Sequence, residues 1–130
     1  MRPLRFSILP GSFAVLRLAP DADVPAGLLV PPFHSLTRTS AELSVVCPEA
    51  ALPEGTRAER GWALLALVGP FPFEMVGVLA SVLGPLATAG VSIFALSTFD
   101  TDYVLVKHER LADAVASLAA AGVERVESAT

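Results

Sequence analysis

An α+β fold is predicted for this chain of 130 residues by three observations. Residues 91–106 hold two extended apolar runs joined by a polar turn, which is the sequence form of a β-hairpin. Residues 61–68 make a short, continuous apolar run, the pattern of a buried central strand. Two stretches of helical spacing flank the hairpin. Over the second half of the chain the order is strand, helix, strand, strand, helix, strand. That is the split βαβ, or ferredoxin-like βαββαβ, arrangement, in which two crossover helices cover one face of an antiparallel sheet of four strands. The other face is left for a partner.

The first half is richer in strands. Residues 5–9 and 13–18 are short β-like runs around the turn signal Pro10-Gly11-Ser12, and they are expected to pair as a hairpin. Residues 25–30 have room for a turn or two of helix before Pro31-Pro32 stops it. Residues 33–38 and 41–47 alternate in polarity, with Thr39-Ser40 as the turn between them. Periodicity is lost over residues 48–60, which read as a connection. The halves share a strand-rich plan at a spacing of roughly 60 residues, so two lobes set side by side are expected.

In the second half, Gly69-Pro-Phe-Pro-Phe73 follows the central strand as a stiff loop. From Glu74 to Ala89 the spacing changes to threes and fours, with Met75, Leu79, Val82, Leu83 and Leu86 on one helical face. Pro85 removes one helical hydrogen bond and Gly90 supplies a stop. After the hairpin, whose turn is placed at Asp100-Thr101-Asp102, Leu111, Val115 and Leu118 mark a second amphipathic helix. Gly122 ends it ahead of a last short strand at 123–126.

Composition narrows the function classes. With 53% hydrophobic residues and a mean hydropathy of +0.61, much apolar surface has to be buried, within the chain or against another one. A formal net charge of -4 offers no basic footprint for nucleic acid. No apolar run approaches the roughly 20 residues of a membrane span. The basic start Met1-Arg2 meets Pro10 and Gly11 before any useful hydrophobic stretch, which argues against a signal peptide and for a cytoplasmic protein. Cys47 is the single cysteine, so no internal disulfide forms and a buried small hydrophobe is its expected role. His34 and His108 are too isolated to suggest a metal site, and no cofactor is expected.

The polar groups with chemical potential gather at one place. Asp100 and Asp102 lie at the hairpin end, where an acid/base pair or a divalent cation is one reading and turn formation the plainer one. No third hard ligand stands nearby. A phosphatase on this topology would want an Arg-bearing loop after the first strand and an Asn to orient water, yet the loop has no Arg and the chain has neither Asn nor Gln. No nucleophile, base and orienter come together, so an enzyme is not expected. Glu74 is placed in the first turn of its helix, where it suits the helix dipole. Recognition uses the same groups differently: amides at a helix N-terminus attract a carboxylate, and Asp or Glu accepts from an ammonium or guanidinium. An amino acid needs both.

The second half resembles an ACT domain, the small-molecule-binding regulatory fold, and within it the tandem subgroup of the CASTOR arginine sensors and their short bacterial relatives. The likeness is carried by Ala58-Glu-Arg-Gly-Trp62, Gly69-Pro70 leading to Phe73, Val78-Leu-Ala-Ser81 with Pro85-Leu86, Ala89-Gly-Val-Ser-Ile-Phe94 and Ser97-Thr-Phe-Asp-Thr-Asp-Tyr-Val-Leu-Val-Lys107. Glu42-Leu-Ser-Val-Val-Cys-Pro48 extends it into the first half. The resemblance implies a reduced ACT-like lobe over residues 1–57 and an ACT domain over 58–130. It further implies an amino-acid ligand against Phe71, Phe73, Glu74 and Met75 on the loop and Ser97, Thr98, Phe99 and Asp102 at the hairpin end, with Asp100 a further candidate because a one-residue register slip exchanges the faces of Asp100 and Asp102. Phe99 and Asp102 keep the three-residue spacing of a Phe and an Asp that contact ligand in the arginine sensors. Those sensors hold two tandem units per chain and this one holds one, so a homodimer is expected, with a regulated protein as a further partner. The contrasting expectation is a structural or protein-interaction module whose interface binds no small molecule.

Overall fold

The computed structural model describes residues 3–127. The basic start Met1-Arg2 and the end of the second lobe, residues 128–130, lie outside them. Eight strands and two α-helices follow in order among the described residues: β1 (Arg5–Ile8), β2 (Phe13–Leu18), β3 (Ser35–Arg38), β4 (Leu43–Pro48), β5 (Glu59–Leu67), α1 (Val78–Thr88), β6 (Ile93–Ser97), β7 (Asp102–Lys107), α2 (Leu111–Ala120) and β8 (Glu124–Arg125). Backbone contacts divide the chain into two compact units, one of Met1–Leu9 with Ala63–Thr130 and one of Pro10–Trp62.

The larger unit is α+β and ferredoxin-like, with β5, α1, β6, β7, α2 and β8 in the βαββαβ order. One strand is added to that plan. β1 lies between β5 and β8, so the strands of this unit run β6-β7-β5-β1-β8. The expected hairpin of residues 5–9 with 13–18 is therefore corrected: β1 pairs antiparallel with β5 and parallel with β8. The sheet is accordingly neither four-stranded nor wholly antiparallel. Apolar matching explains the choice, since Phe6 stands opposite Leu67 and both are buried in one core. Alternation along the strands sends Ala63, Leu65 and Leu67 of β5 and Val104 and Val106 of β7 into that core. Val78, Val82 and Leu86 of α1 and Ala114 and Leu118 of α2 meet them at fourfold spacing.

Both helices end the same way. The sequence Ala-Gly-Val recurs at 89–91 and 121–123, and Gly90 and Gly122 take φ of +73° and +85°. The amides of Val91 and Val123 then reach back to Leu86 and Leu118 carbonyls at 2.9 and 2.8 Å, and those of Gly90 and Gly122 to Ala87 and Ala119, both at 3.0 Å. This is the Schellman pattern, with Val91 and Val123 packed into the core beside the residues they bond.

α1 begins at Val78, later than the helical spacing from Glu74 suggested. Pro70 and Pro72 hold the preceding residues extended, the Met75 amide closes a turn on the Pro72 carbonyl at 3.0 Å, and Gly77 at φ +82° turns the chain into the helix. Glu74 and Met75 thus belong to the loop, and Val78 takes the core position expected of Met75.

In the smaller unit, β2 and β3 flank β4 in antiparallel register. Residues 59–62 of β5 pair with β2 across a bulge, where Gly61 at φ +79° supplies the extra residue. Leu16, Leu28, Leu43, Val45 and Cys47 form this unit's core. Thr39 Oγ1 accepts from the amides of Ala41 and Glu42 at 3.1 and 3.2 Å, fixing the turn expected at Thr39-Ser40. The single turn of 3-10 helix at Ala26–Leu28 is all that forms before Pro31-Pro32.

Candidate ligand-binding site

Two segments of the larger unit are clasped together at the ends of β5 and β7. Where β5 stops, the Phe71 amide donates to the Asp100 carbonyl at 2.7 Å, and Thr101 Oγ1 donates to the Leu67 carbonyl at 2.9 Å. Gly69 permits this approach, because a Cβ there would stand 2.8 Å from the Asp100 carbonyl oxygen. The loop after β5 and the hairpin turn therefore make two walls of one feature.

The turn itself lies at residues 98–101 and not at 100–102. Ser97 stands opposite Asp102 in the β6–β7 register, and the Thr98 amide closes the turn on the Thr101 carbonyl at 2.8 Å. Asp102 is consequently the first residue of β7, while Asp100 sits in the turn with its carbonyl committed to the loop. Ser97 Oγ donates to Asp102 Oδ1 at 2.5 Å, which holds that carboxylate in one orientation.

Between the walls is an open pocket of about 210 Å³. Phe71, Phe73 and Met75 line it from the loop, and Ser97, Thr98, Phe99, Asp100 and Asp102 line it from the hairpin. Glu74 does not: it is exposed within the loop, and with α1 starting at Val78 it has no place in a first helical turn. Pro72, Val78 and Thr101 also line the pocket and were not singled out from sequence. Val78 was hidden because the helix was started too early. Thr101 lay inside the quoted motif, but its bond to Leu67 joins residues far apart in sequence.

The rim is aromatic and the far lip acidic. Phe73 and Phe99 meet edge to face with centroids 4.7 Å apart and planes at 79°, although each keeps over two thirds of its surface exposed, at 72% and 77%. Among the described residues no Lys or Arg lines the pocket, and Asp100 and Asp102 are its charged lining residues. Among the described residues no group of three or more His, Cys, Asp or Glu side chains is placed to hold a metal ion. No described helix is long and apolar enough to cross a membrane.

The larger unit is thus an α+β fold with an open pocket between the loop after its central strand and its hairpin turn. Residues 57–120 match the family model described as ACT domain, and residues 11–55 match a second one that describes an N-terminal domain. The crystal structure of protein Atu0741 from Agobacterium tumefaciens is 37% identical, with a TM-score of 0.90 over 98% of this chain and 96% of that one. The human cytosolic arginine sensor for mTORC1 subunit 1 is 33% identical over 55 residues, 42% of this chain and 17% of the sensor. The regulatory subunit of aspartate kinase from Thermus thermophilus shares the fold, at a TM-score of 0.63 and 14% identity over 92% of this chain and 97% of that one. The chain spans between about half and less than a fifth of the length of the curated relatives it matches, at 53% and 17%.

Proposed function

We propose that this protein is a non-enzymatic sensor or regulatory subunit that binds an amino acid in the pocket between the loop and the hairpin turn. The observation that carries this reading is the pocket's polarity. It brings two carboxylates, Asp100 and Asp102, to one lip beside an aromatic pair, with no cation among its lining residues. Asp102, oriented through Oδ1 by Ser97, offers Oδ2 to an ammonium or guanidinium donor. At the other wall Val78 opens α1, and the amides of Val78, Leu79 and Ala80 have no acceptor within the helix, which suits a ligand carboxylate. A basic amino acid is favoured by this sign of charge, and the relative named an arginine sensor points the same way.

On this reading the chain is a tandem of a reduced ACT-like lobe, drawn chiefly from residues 1–57, and the ACT domain of 58–130. It acts as a cytoplasmic homodimer in which ACT surfaces enclose the ligand, and its occupancy is read by a partner protein. The volume of about 210 Å³ is small and open for a finished ligand site, in keeping with a second ACT surface closing it. A second reading is favoured by the exposed apolar side chains around the rim, Phe73, Met75 and Phe99: the same surface binds a protein and no small molecule.

A thermal-shift series over the twenty amino acids separates the two. A ligand that binds only the native state raises stability as RT ln(1 + [L]/Kd), about 2.7 kcal/mol at a hundredfold excess over Kd. A selective rise with one or a few basic amino acids is expected. A flat response across the whole set removes the ligand reading and leaves the protein-binding one.

A further inference from the structure

A second cavity, of about 550 Å³, adjoins the acidic pocket within the larger unit. Phe71, Met75 and Val78 line both, so these three residues are the partition between them. On the far side of the partition the walls are apolar, made by Leu4, Val68, Pro70 and Val76. Arg5 is the one charged residue of that lining, but alternation along β1 turns its side chain away from Leu4 and Phe6, to the face where Glu124 stands across from it. Charge and hydrocarbon are thus divided, with carboxylates in the first cavity and an apolar surface in the second. Size divides them too: at about 210 Å³ the first falls below the roughly 300–1,000 Å³ of small-molecule sites, and the second lies within it. One member of the partition is free to move. The Phe71 amide is tied to the Asp100 carbonyl at 2.7 Å and Val78 is buried at the start of α1, whereas Met75 is 47% exposed on an unbranched, flexible side chain.

We propose that Met75 is a gate and that the two cavities form one elongated site for an amphipathic cation, its head group on the Asp102 lip and its hydrocarbon against Leu4, Val68 and Val76. This rests on the reading of the first pocket as a site for a basic amino acid and extends it: the ligand carries an apolar group on its carboxyl end, as in an amide or a short peptide. Val78 sets that order, because it opens α1, where amides lack helical acceptors and suit the ligand's carbonyl, and it lines both cavities. A substituent on the carbonyl therefore meets the partition. A free basic amino acid would leave the apolar cavity unused, and an anionic amphiphile would be repelled by Asp100 and Asp102. A change of the Met75 rotamer opens the way while the backbone bond between residues 71 and 100 stays in place.

Argininamide and arginine N-hexylamide serve as matched probes, alike in charge and different only in the tail. Each is titrated into the full ¹⁵N-labelled chain and followed by amide chemical shifts. Both are expected to move the amides of Thr98 and Asp102, and the hexylamide alone those of Leu4, Val68 and Val76. Burial of the tail should make the hexylamide bind at least about tenfold more tightly. Val76→Asp, at a position 89% exposed where folding is not at stake, should bring its affinity to that of argininamide; the added carboxylate attracts both probes alike and drops out of the comparison. Met75→Ile, branched and stiff at χ1, should narrow the preference by hindering the gate. Equal binding of the two probes with shifts at Thr98 and Asp102 alone overturns the proposal and leaves the acidic-lip reading standing, whereas binding of neither overturns both. A preference for the hexylamide that survives undiminished in Val76→Asp and Met75→Ile, or that comes without shifts at Leu4, Val68 and Val76, also overturns the proposal.

Discussion

The Phe71 amide and the Asp100 carbonyl, 2.7 Å apart, tie the loop after the central strand to the hairpin turn across 29 residues of sequence. A backbone bond of this kind asks little of either side chain, but it asks for room. Gly69 provides the room, with space for a hydrogen but none for a methyl group against the Asp100 oxygen at 2.8 Å and Thr101 Cβ at 3.0 Å. Gly69→Ala is therefore expected to push the two walls apart and to cost about 1–3 kcal/mol as an overpacked contact with backbone. Thermal unfolding measures the loss. Amide exchange locates it, because the Phe71 amide should lose protection while Leu65 and Val104 keep theirs. Full protection of Phe71 in the variant would show that the loop yields without opening the clasp.

If the pocket binds an amino acid through the acidic lip, Asp102→Ala should abolish ligand-induced thermal stabilisation while leaving the unliganded protein nearly as stable as before. The reason is local: Asp102 bonds to Ser97 at the surface, and an exposed bond of that type contributes little to folding. Glu74→Ala, on a side chain outside the lining, should leave the ligand response intact. Unchanged stabilisation in Asp102→Ala takes that residue out of the site.

The α+β class, the helix stops and the hairpin were legible because each rests on a local rule. Gly90 and Gly122 announce helix ends by themselves, and the β-branched runs around residue 100 announce paired strands. The route of β1 was not legible, since Pro10-Gly11-Ser12 is a good turn signal whichever strands it joins. What decides the pairing is the contact of Phe6 with Leu67, which no local pattern contains. The same limit applies to the site. Phe73 and Phe99 are both named by the resemblance to the ACT family, but their ring contact depends on the clasp between residues 71 and 100. Glu74 shows the converse. Helical spacing reached it from Leu79 and Val82, while the turn on Pro72 and the positive φ of Gly77 kept it out of the helix.

The repeated Ala-Gly-Val endings make a paired prediction. No atom lies within 4 Å of a Cβ built on Gly90 or Gly122, so alanine meets no clash there and its cost is the left-handed backbone alone. Gly90→Ala and Gly122→Ala should each destabilise the protein by about 1 kcal/mol. Chemical denaturation of the single and double variants checks this, with near-additive losses expected because the two caps share no hydrogen bond. A loss much above that in either variant would mean the helix end is rearranging and not merely strained.

Burial of Cys47 in the core of the smaller unit pushes its thiol pKa upward, against a weaker lowering by the positive charge of Arg60. The neutral thiol is thus the form the folded state prefers. Below the ordinary thiol pKa both folded and unfolded chains hold the proton and stability is unaffected. Above it the unfolded chain ionises first, so stability falls as pH rises toward the folded-state value. Native protein should accordingly resist a thiol-specific reagent at neutral pH and react only at the rate of unfolding. Denaturation curves from pH 7 to pH 10 should show a decline that Cys47→Ala removes, on top of the cost of the smaller side chain. Rapid labelling of the folded protein at neutral pH would place the sulfur nearer solvent than its 0% exposure allows.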